Sequence, residues 1–241
     1  MEKNYYELAI EVTRRCNMHC AHCIRGRAQR RDIPNEYIDR MLRNTRYISS
    51  LLLTGGEPSL NPSAIRFISD TIRRKHITLG SVVLITNAKK ITDEFLAAYA
   101  ELLSITTDPS ENYLAISKDE FHDAPSDENR RKLALFACYI ESAQAIDWHK
   151  SRITNLGRAR KLDGYSKCEP CYSSELSYAY DPDAKRLTFT DSIITLTVDG
   201  DILDGCDYEY ASTGRLKIGH VSDPKWAEHA IGIGQRVCCR R

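Results

Sequence analysis

The chain has 241 residues, 42% of them hydrophobic, so it can bury a substantial core as a globular protein. Its 34 basic residues nearly balance its 33 acidic residues, which gives no reason to expect nucleic acid or an anionic membrane as the main partner. No apolar run approaches the roughly 20 residues of a membrane span. The start of the chain lacks the apolar core of a secretion signal, so we expect a cytoplasmic protein.

Apolar runs alternate with amphipathic helical patterns up to residue 150, which is typical of βα units around a parallel sheet. Asn61 is expected to cap the second helix and the segment 126–128 to precede the fourth. Cys138 falls within that fourth helix, where we expect it to be a buried apolar side chain. The predicted strands lie at residues 6–12, 51–54, 81–86 and 113–117, and the predicted helices at 34–47, 62–72, 95–102 and 133–140.

The pattern changes after residue 150. Residues 186–190 and 193–198 each have the composition of a β-strand, and Asp199-Gly200 is typical of a hairpin turn. We therefore predict a small β-rich region after the βα units.

Nine cysteines in a chain without a secretion signal are better interpreted as metal or redox ligands than as disulfide partners. Eight of them form an early and a late group, which predicts two separate metal sites, and Cys138 stands alone. The early group is Cys16, Cys20 and Cys23, and the late group is Cys168, Cys171, Cys206, Cys238 and Cys239.

The early group places three thiolates in a loop that directly follows the first predicted strand. A 4Fe-4S cluster usually has four cysteine ligands, so three closely spaced ones would leave one iron open. Zinc is the alternative, because His19 or His22 could supply a fourth ligand.

Two motifs together resemble the signature of the radical S-adenosylmethionine (SAM) superfamily. The first is C-x-x-x-C-x-x-C at residues 16–23, and the second is Gly55-Gly56-Glu57 after the second predicted strand. The resemblance implies a partial (β/α) TIM-like barrel of about six βα units. It also implies that a 4Fe-4S cluster binds SAM and cleaves it reductively to a 5′-deoxyadenosyl radical, which takes a hydrogen atom from a substrate.

The resemblance also suggests which residues contact SAM. Gly55 and Gly56 would let the backbone approach its methionine part, and Glu57 would accept a hydrogen bond from its amino group. An ordinary strand-to-helix turn is the alternative for the two glycines. His22 stands where the family commonly has an aromatic residue near the adenine.

Weaker candidates follow along the chain. Asn87 and Ser117 end predicted strands and could contact the SAM ribose or carboxylate, whereas turn or cap residues are the alternative. Arg158 could clamp the carboxylate or belong to a solvated basic loop. Asp119 and His122 could act as a general acid and base at the barrel mouth, or as a cap and an exposed histidine.

The late cysteines, with the Asp199-Gly200 turn, resemble the SPASM or twitch extensions of some radical SAM enzymes. The resemblance implies a second iron-sulfur cluster, with structural zinc and unligated thiols as alternatives. The spacing from Cys171 to Gly200 is longer than that pattern leads us to expect. We predict a barrel domain at residues 1–160 and a cysteine-rich domain at residues 161–241.

Nine arginines lie between Arg14 and Arg46, against three acidic residues, so this stretch is expected to be electropositive. It could dock an acidic electron donor such as flavodoxin or ferredoxin. A peptide substrate is our first expectation, and small-molecule biosynthesis or activation of a glycyl-radical enzyme are the alternatives. A non-catalytic iron-sulfur or zinc redox protein is the alternative of another class, against which Glu57 and its glycines argue.

Overall fold

The structure is a computed structural model that describes residues 1–117, 119–140, 152–170, 176–214 and 216–238. Its first half alternates strands and helices, and every pairing among the first five strands is parallel. These elements are β1 (Glu2–Thr13), α1 (Asn35–Met41), β2 (Thr45–Gly55), α2 (Pro62–Arg74), β3 (Thr78–Thr86), α3 (Asp93–Leu103), β4 (Tyr113–Ile116), α4 (Asp127–Leu133) and β5 (Tyr139–Ile140).

The second half is rich in strands and ends in one helix. Its elements are β6 (Arg152–Thr154), β7 (Ser166–Cys168), β8 (Tyr178–Asp181), β9 (Arg186–Leu196), β10 (Asp201–Asp204), β11 (Lys217–His220) and α5 (Trp226–Cys238). Among the described residues, no helix combines the length and the apolar character needed to span a bilayer.

Nine strands form one sheet in the order β11-β10-β9-β1-β2-β3-β4-β5, with β8 on β9. The sheet is mostly parallel and remains open in the part of the chain that is described, so the predicted α/β class and partial barrel are confirmed. Because β9 pairs in parallel with β1, the sheet runs across the predicted domain boundary at residue 160. The division into two domains stays a prediction.

Local signals place the helix starts. The side chain of Asn61 accepts a hydrogen bond from the Ala64 amide, which confirms the predicted cap of α2. Ser126 caps α4 through the Asn129 amide. The Asp199-Gly200 turn joins β9 to β10, and Gly200 has the positive φ of 85° that favours glycine.

Three sequence predictions were wrong in extent. The first helix ends at Met41 because Asn44, with φ of 57°, turns the chain into β2. The fourth, predicted at residues 133–140, covers residues 127–133 instead, because Leu114 donates its amide to the Cys138 carbonyl and β5 pairs with β4. Cys138 is therefore outside the helix and only half-buried, packed against the core. The two strands predicted at residues 186–198 are one strand, β9.

Candidate functional site

The loop with Cys16, Cys20 and Cys23 follows β1, at the sheet edge where parallel strands end and α/β folds place their sites. The Arg14 amide donates to the Arg31 carbonyl at 2.8 Å, and the Arg14 carbonyl accepts from the Gln29 amide at 2.9 Å. These two hydrogen bonds join the beginning of the loop to its end. All three thiols are half-buried.

The three cysteines line one small cavity together with Gly55, Gly56, Arg158 and Tyr210. Burial raises the pKa of the Cys16 thiol, and burial together with the Cys16 and Cys23 thiols raises the pKa of the Cys20 thiol to about 11. Burial thus disfavours the thiolate form of both, and a metal ion bound to them would favour it. Three thiols around a shared cavity are a donor set suited to an iron-sulfur cluster.

Gly55 and Gly56 are required by the close approach of two backbone segments. A Cβ on Gly55 would lie 2.2 Å from the Thr13 carbonyl oxygen, and one on Gly56 would lie 2.3 Å from the Arg15 carbonyl oxygen. The Gly56 amide donates to Thr13 and the Glu57 amide to Arg15, each at 2.8 Å. These glycines therefore dock the end of β2 against the start of the cysteine loop.

Glu57 is 2% exposed, and its carboxylate accepts three hydrogen bonds. Oε1 accepts from the Thr86 hydroxyl at 2.6 Å and the Ser59 amide at 3.1 Å, and Oε2 accepts from the Asn87 amide at 2.8 Å. The carboxylate thus joins the ends of β2 and β3. Sequence reasoning missed these contacts, although each partner is at a strand end or a turn.

Asn87 contacts the cysteine loop directly. Its Nδ2 lies 2.9 Å from the Asn17 Oδ1 and 3.9 Å from the Cys16 sulfur, so it donates to both. Its Oδ1 accepts from the Lys89 amide at 2.9 Å. Ser117 donates its amide to the Thr86 carbonyl at the end of β4.

Arg158 reaches the cavity from the segment after β6. Its amide donates to the Cys23 carbonyl at 2.9 Å. Gly157 makes this approach possible, since a Cβ there would lie 2.5 Å from the Cys23 carbonyl oxygen. The buried Arg158 Nε has no hydrogen-bond partner among the described residues. An anionic group in the cavity would provide one.

His22, Asp119 and His122 come together beside the cysteine loop. The Asp119 carboxylate lies 2.7 Å from the His122 Nδ1 and 3.4 Å from the His22 Nε2. Burial opposes ionisation of Asp119, but the hydrogen bond and charge of His122 outweigh it, so the pKa of this carboxyl is lowered. Burial lowers the pKa of His22, whose ring stacks on Phe121 at 4.6 Å. An ionised carboxylate between two imidazoles can accept and hold a proton.

The late cysteines are only partly described. Cys171 and Cys239 lie outside the described residues, and Cys238 ends α5. Cys168 is half-buried at the end of β7, and burial raises the pKa of Cys206 to about 11. Chain neighbours of both cysteines line one pocket, among them Glu169, Pro170, Asp207 and Tyr208.

The arginines between positions 14 and 46 divide between the two ends of the sheet. Arg14 and Arg25 are buried beside the cysteine loop, and Arg27 is exposed there. Arg40 and Arg43 instead line a pocket with Lys3, at the start of β1. Helix α1 carries the chain back to that end before β2 begins, so the stretch is not one electropositive surface.

Comparison with known proteins gives a family match and a fold match. A family model described as Radical SAM superfamily matches residues 10–142. No curated protein matches the chain.

Two solved structures are similar to this chain to different degrees. Native anSMEcpe with bound AdoMet and Cp18Cys peptide has a TM-score of 0.55 and 13% identity, over 98% of this chain and 83% of that one. Streptococcus suis SuiB bound to the precursor peptide SuiA has a TM-score of 0.38 and 14% identity, over 82% of this chain and 58% of that one. At 13% identity, the similarity to anSMEcpe shows a shared fold and nothing further.

Proposed function

This chain belongs to the radical SAM superfamily, whose members are enzymes that use a 4Fe-4S cluster and SAM, and from that premise we propose that Cys16, Cys20 and Cys23 ligate the cluster. The observation that carries the proposal is the cavity lined by these three thiols together with Gly55, Gly56 and Arg158. When bound, the cluster and SAM supply a 5′-deoxyadenosyl radical that removes a hydrogen atom from the substrate.

The chain's own residues orient both groups. Asn87 donates to the Cys16 sulfur and restrains that ligand, while the backbone of Arg158 restrains Cys23. The unpartnered Arg158 Nε is placed to bind the SAM carboxylate. We also propose that Asn87 and Ser117, at the ends of β3 and β4, contact the SAM ribose or carboxylate and that His22 contacts the adenine.

Among the described residues, Oε2 of Glu57 accepts one hydrogen bond, from the Asn87 amide. That oxygen can accept a further hydrogen bond from the amino group of SAM. Glu57→Gln should retain the cluster iron and weaken SAM binding, because the amide replaces a charge-assisted acceptor. Unchanged SAM affinity in an anaerobic titration would remove this role.

Iron and sulfide analysis tests the ligand set. After anaerobic reconstitution, Cys16→Ala, Cys20→Ala and Cys23→Ala should each lose the iron of the first cluster, whereas Cys138→Ala should retain it. Zinc instead of iron in the reconstituted chain would contradict the proposal.

We also propose an auxiliary iron-sulfur cluster held by Cys168, Cys171, Cys206 and one of Cys238 and Cys239. Its support is the common pocket beside Cys168 and Cys206 and the grouping of the cysteines in the sequence. A variant that lacks Cys16, Cys20 and Cys23 should then still bind about four irons. The same variant with one zinc and no iron would favour a structural metal.

The substrate we propose is a peptide or protein segment at the open end of the sheet. The fold neighbour anSMEcpe was solved with AdoMet and the Cp18Cys peptide, which motivates this class. Asp119 and His122 lie beside the cysteine loop, where Asp119 contacts His22, and we propose that they transfer a proton to or from the substrate. The exposed Arg27 and its neighbours beside the loop would receive an acidic electron donor such as flavodoxin or ferredoxin.

Mass spectrometry of candidate substrates in deuterated buffer tests the substrate class. Short peptides encoded beside the gene should lose hydrogen on cross-linking or gain one deuterium on epimerisation. Faster deoxyadenosine formation with a small metabolite, or with a glycyl-radical enzyme, and not with any peptide would overturn the peptide assignment.

A further inference from the structure

A tyrosine from the second half of the chain lines the cavity of the three cysteine thiols. Tyr210 lies there together with Gly55, Gly56 and Arg158. Its hydroxyl is buried and has no hydrogen-bond partner among the described residues. A buried donor without an acceptor costs free energy, and a group bound in the cavity would remove that cost.

The Tyr210 hydroxyl lies close enough to Cys23 to respond to its charge. Burial raises the pKa of Tyr210, and the charges of Glu11 and of Cys23 as a thiolate raise it further. A phenol keeps its proton at neutral pH even without these effects, since its ordinary pKa is about 10. Tyr210 is therefore a neutral hydrogen-bond donor next to one of the three thiols.

Contacts from both sides of the cysteine loop hold Tyr210 in place. The guanidinium carbon of Arg14 lies over its ring, 4.6 Å from the centre. Arg14 is itself fixed by Glu11 at 3.2 Å and by Asp199 at 2.8 Å. The Tyr210 amide donates to the Arg25 carbonyl at 3.2 Å. One arginine precedes the first cysteine of the loop and the other follows the last, so the ring and the loop keep a fixed relation.

The chain just before this tyrosine is anchored as well. Arg25 Nη1 donates to the Cys206 carbonyl at 2.7 Å and to the Tyr208 carbonyl at 3.0 Å. The Glu209 carboxylate accepts from the Gly157 amide at 2.9 Å. With the backbone held at these points, the hydroxyl has little freedom to turn towards a different acceptor.

We propose that the Tyr210 hydroxyl donates a hydrogen bond to a sulfur atom of the cluster held by Cys16, Cys20 and Cys23, and that it thereby raises the reduction potential of that cluster. The inference rests on the proposed function. Reduction adds a negative charge to the cluster, and a hydrogen bond to sulfur stabilises that charge. Hydrogen bonds of this kind are among the factors that set the potential of an iron-sulfur cluster.

The test compares Tyr210→Phe with the parent full chain after anaerobic reconstitution. The midpoint potential of the cluster is measured by EPR-monitored titration without SAM, and the change of its signal on addition of SAM identifies this cluster. The variant should keep the iron content of the parent, because a phenyl ring retains the packing under Arg14. Its cluster should be harder to reduce, so the ratio of reduced to oxidised cluster at a fixed potential should fall several-fold.

A second measurement detects the hydrogen bond itself. In deuterated buffer, electron-nuclear double resonance of the reduced parent cluster should show an exchangeable deuteron that Tyr210→Phe lacks. Identical deuteron couplings in the two chains would overturn the proposal.

Tyr208→Phe is the matched control. This tyrosine also has a buried hydroxyl without a partner among the described residues, but it lines a different pocket, beside Asn155 and Glu209. The potential of the cluster should therefore stay at the parent value in this variant. Equal shifts in Tyr208→Phe and Tyr210→Phe would overturn the proposal.

Metal and SAM binding separate the remaining outcomes. An unchanged potential in Tyr210→Phe would overturn the proposal, and weaker SAM binding in that variant would then assign the hydroxyl to SAM. A parent chain that binds no iron would instead contradict the proposed function. Iron analysis of the parent thus distinguishes the two failures.

Discussion

The two ends of β1 are stabilised in different ways. At the end that leads into the cysteine loop, Glu11 and Arg14 are buried as an ion pair at 3.2 Å, and Glu11 also accepts from the Val198 amide at 2.8 Å. Such groups must keep their partners, because a buried charge left alone is costly. The positions of the loop residues are therefore fixed by directional contacts.

Toward the other end of β1, aromatic side chains stack in the core. Tyr5 stacks on Phe189 with ring centres 5.5 Å apart, and Phe189 stacks on Trp226 at 5.9 Å. Burial of apolar area stabilises the fold without fixing one geometry as strictly. The comparison teaches that changes near the loop should affect the site itself, whereas changes at the far end should affect stability alone.

The largest effect on the site is expected for the Gly56→Ala variant. The added Cβ would lie 2.3 Å from the Arg15 carbonyl oxygen, so the backbone of the cysteine loop must move. The variant should lose its iron and its SAM cleavage. Gly214→Ala is the control, since a Cβ there meets no atom within 4 Å. A Gly56→Ala chain with the iron content of the parent would contradict the account.

Phe189→Ala should lower the free energy of unfolding by about 3–5 kcal/mol, because it leaves a cavity in the aromatic stack. Anaerobic denaturant titration measures this loss. The EPR spectrum of the folded fraction should match that of the parent. A changed spectrum would show that the two ends of β1 are not separable.

The smallest effect is expected for Asn61, which links α2 to β1. Its side chain caps α2 and donates to the Val12 carbonyl at 2.7 Å. Asn61→Ala should lower the free energy of unfolding by about 1 kcal/mol. Asn61→Asp keeps the cap and loses the donor, so its melting temperature should lie between those of the alanine variant and the parent. Equal melting temperatures for all three would contradict this role.

Short-range signals in the sequence predicted much of the fold. The Asn61 cap and the Asp199-Gly200 turn depend on a few neighbouring residues, and both were predicted correctly. The segment 134–140 was predicted wrongly because pairing with β4 outweighs its helical spacing.

The site was harder to predict in detail. The motif identified the cysteines and Glu57, but the bond from Arg25 to Cys206 joins residues 181 positions apart. No periodicity or local propensity encodes such a contact. The roles of Gly55 and Gly56 likewise depend on the backbone that approaches them from β1.

SAM cleavage tests the central claim most directly. The anaerobically reconstituted and chemically reduced chain should convert SAM to 5′-deoxyadenosine, and so should Cys138→Ala, whose thiol lies outside the site. Cys16→Ala, Cys20→Ala and Cys23→Ala should each form none. A parent chain that binds zinc and forms no deoxyadenosine, or a triple variant that still forms it, would contradict the account.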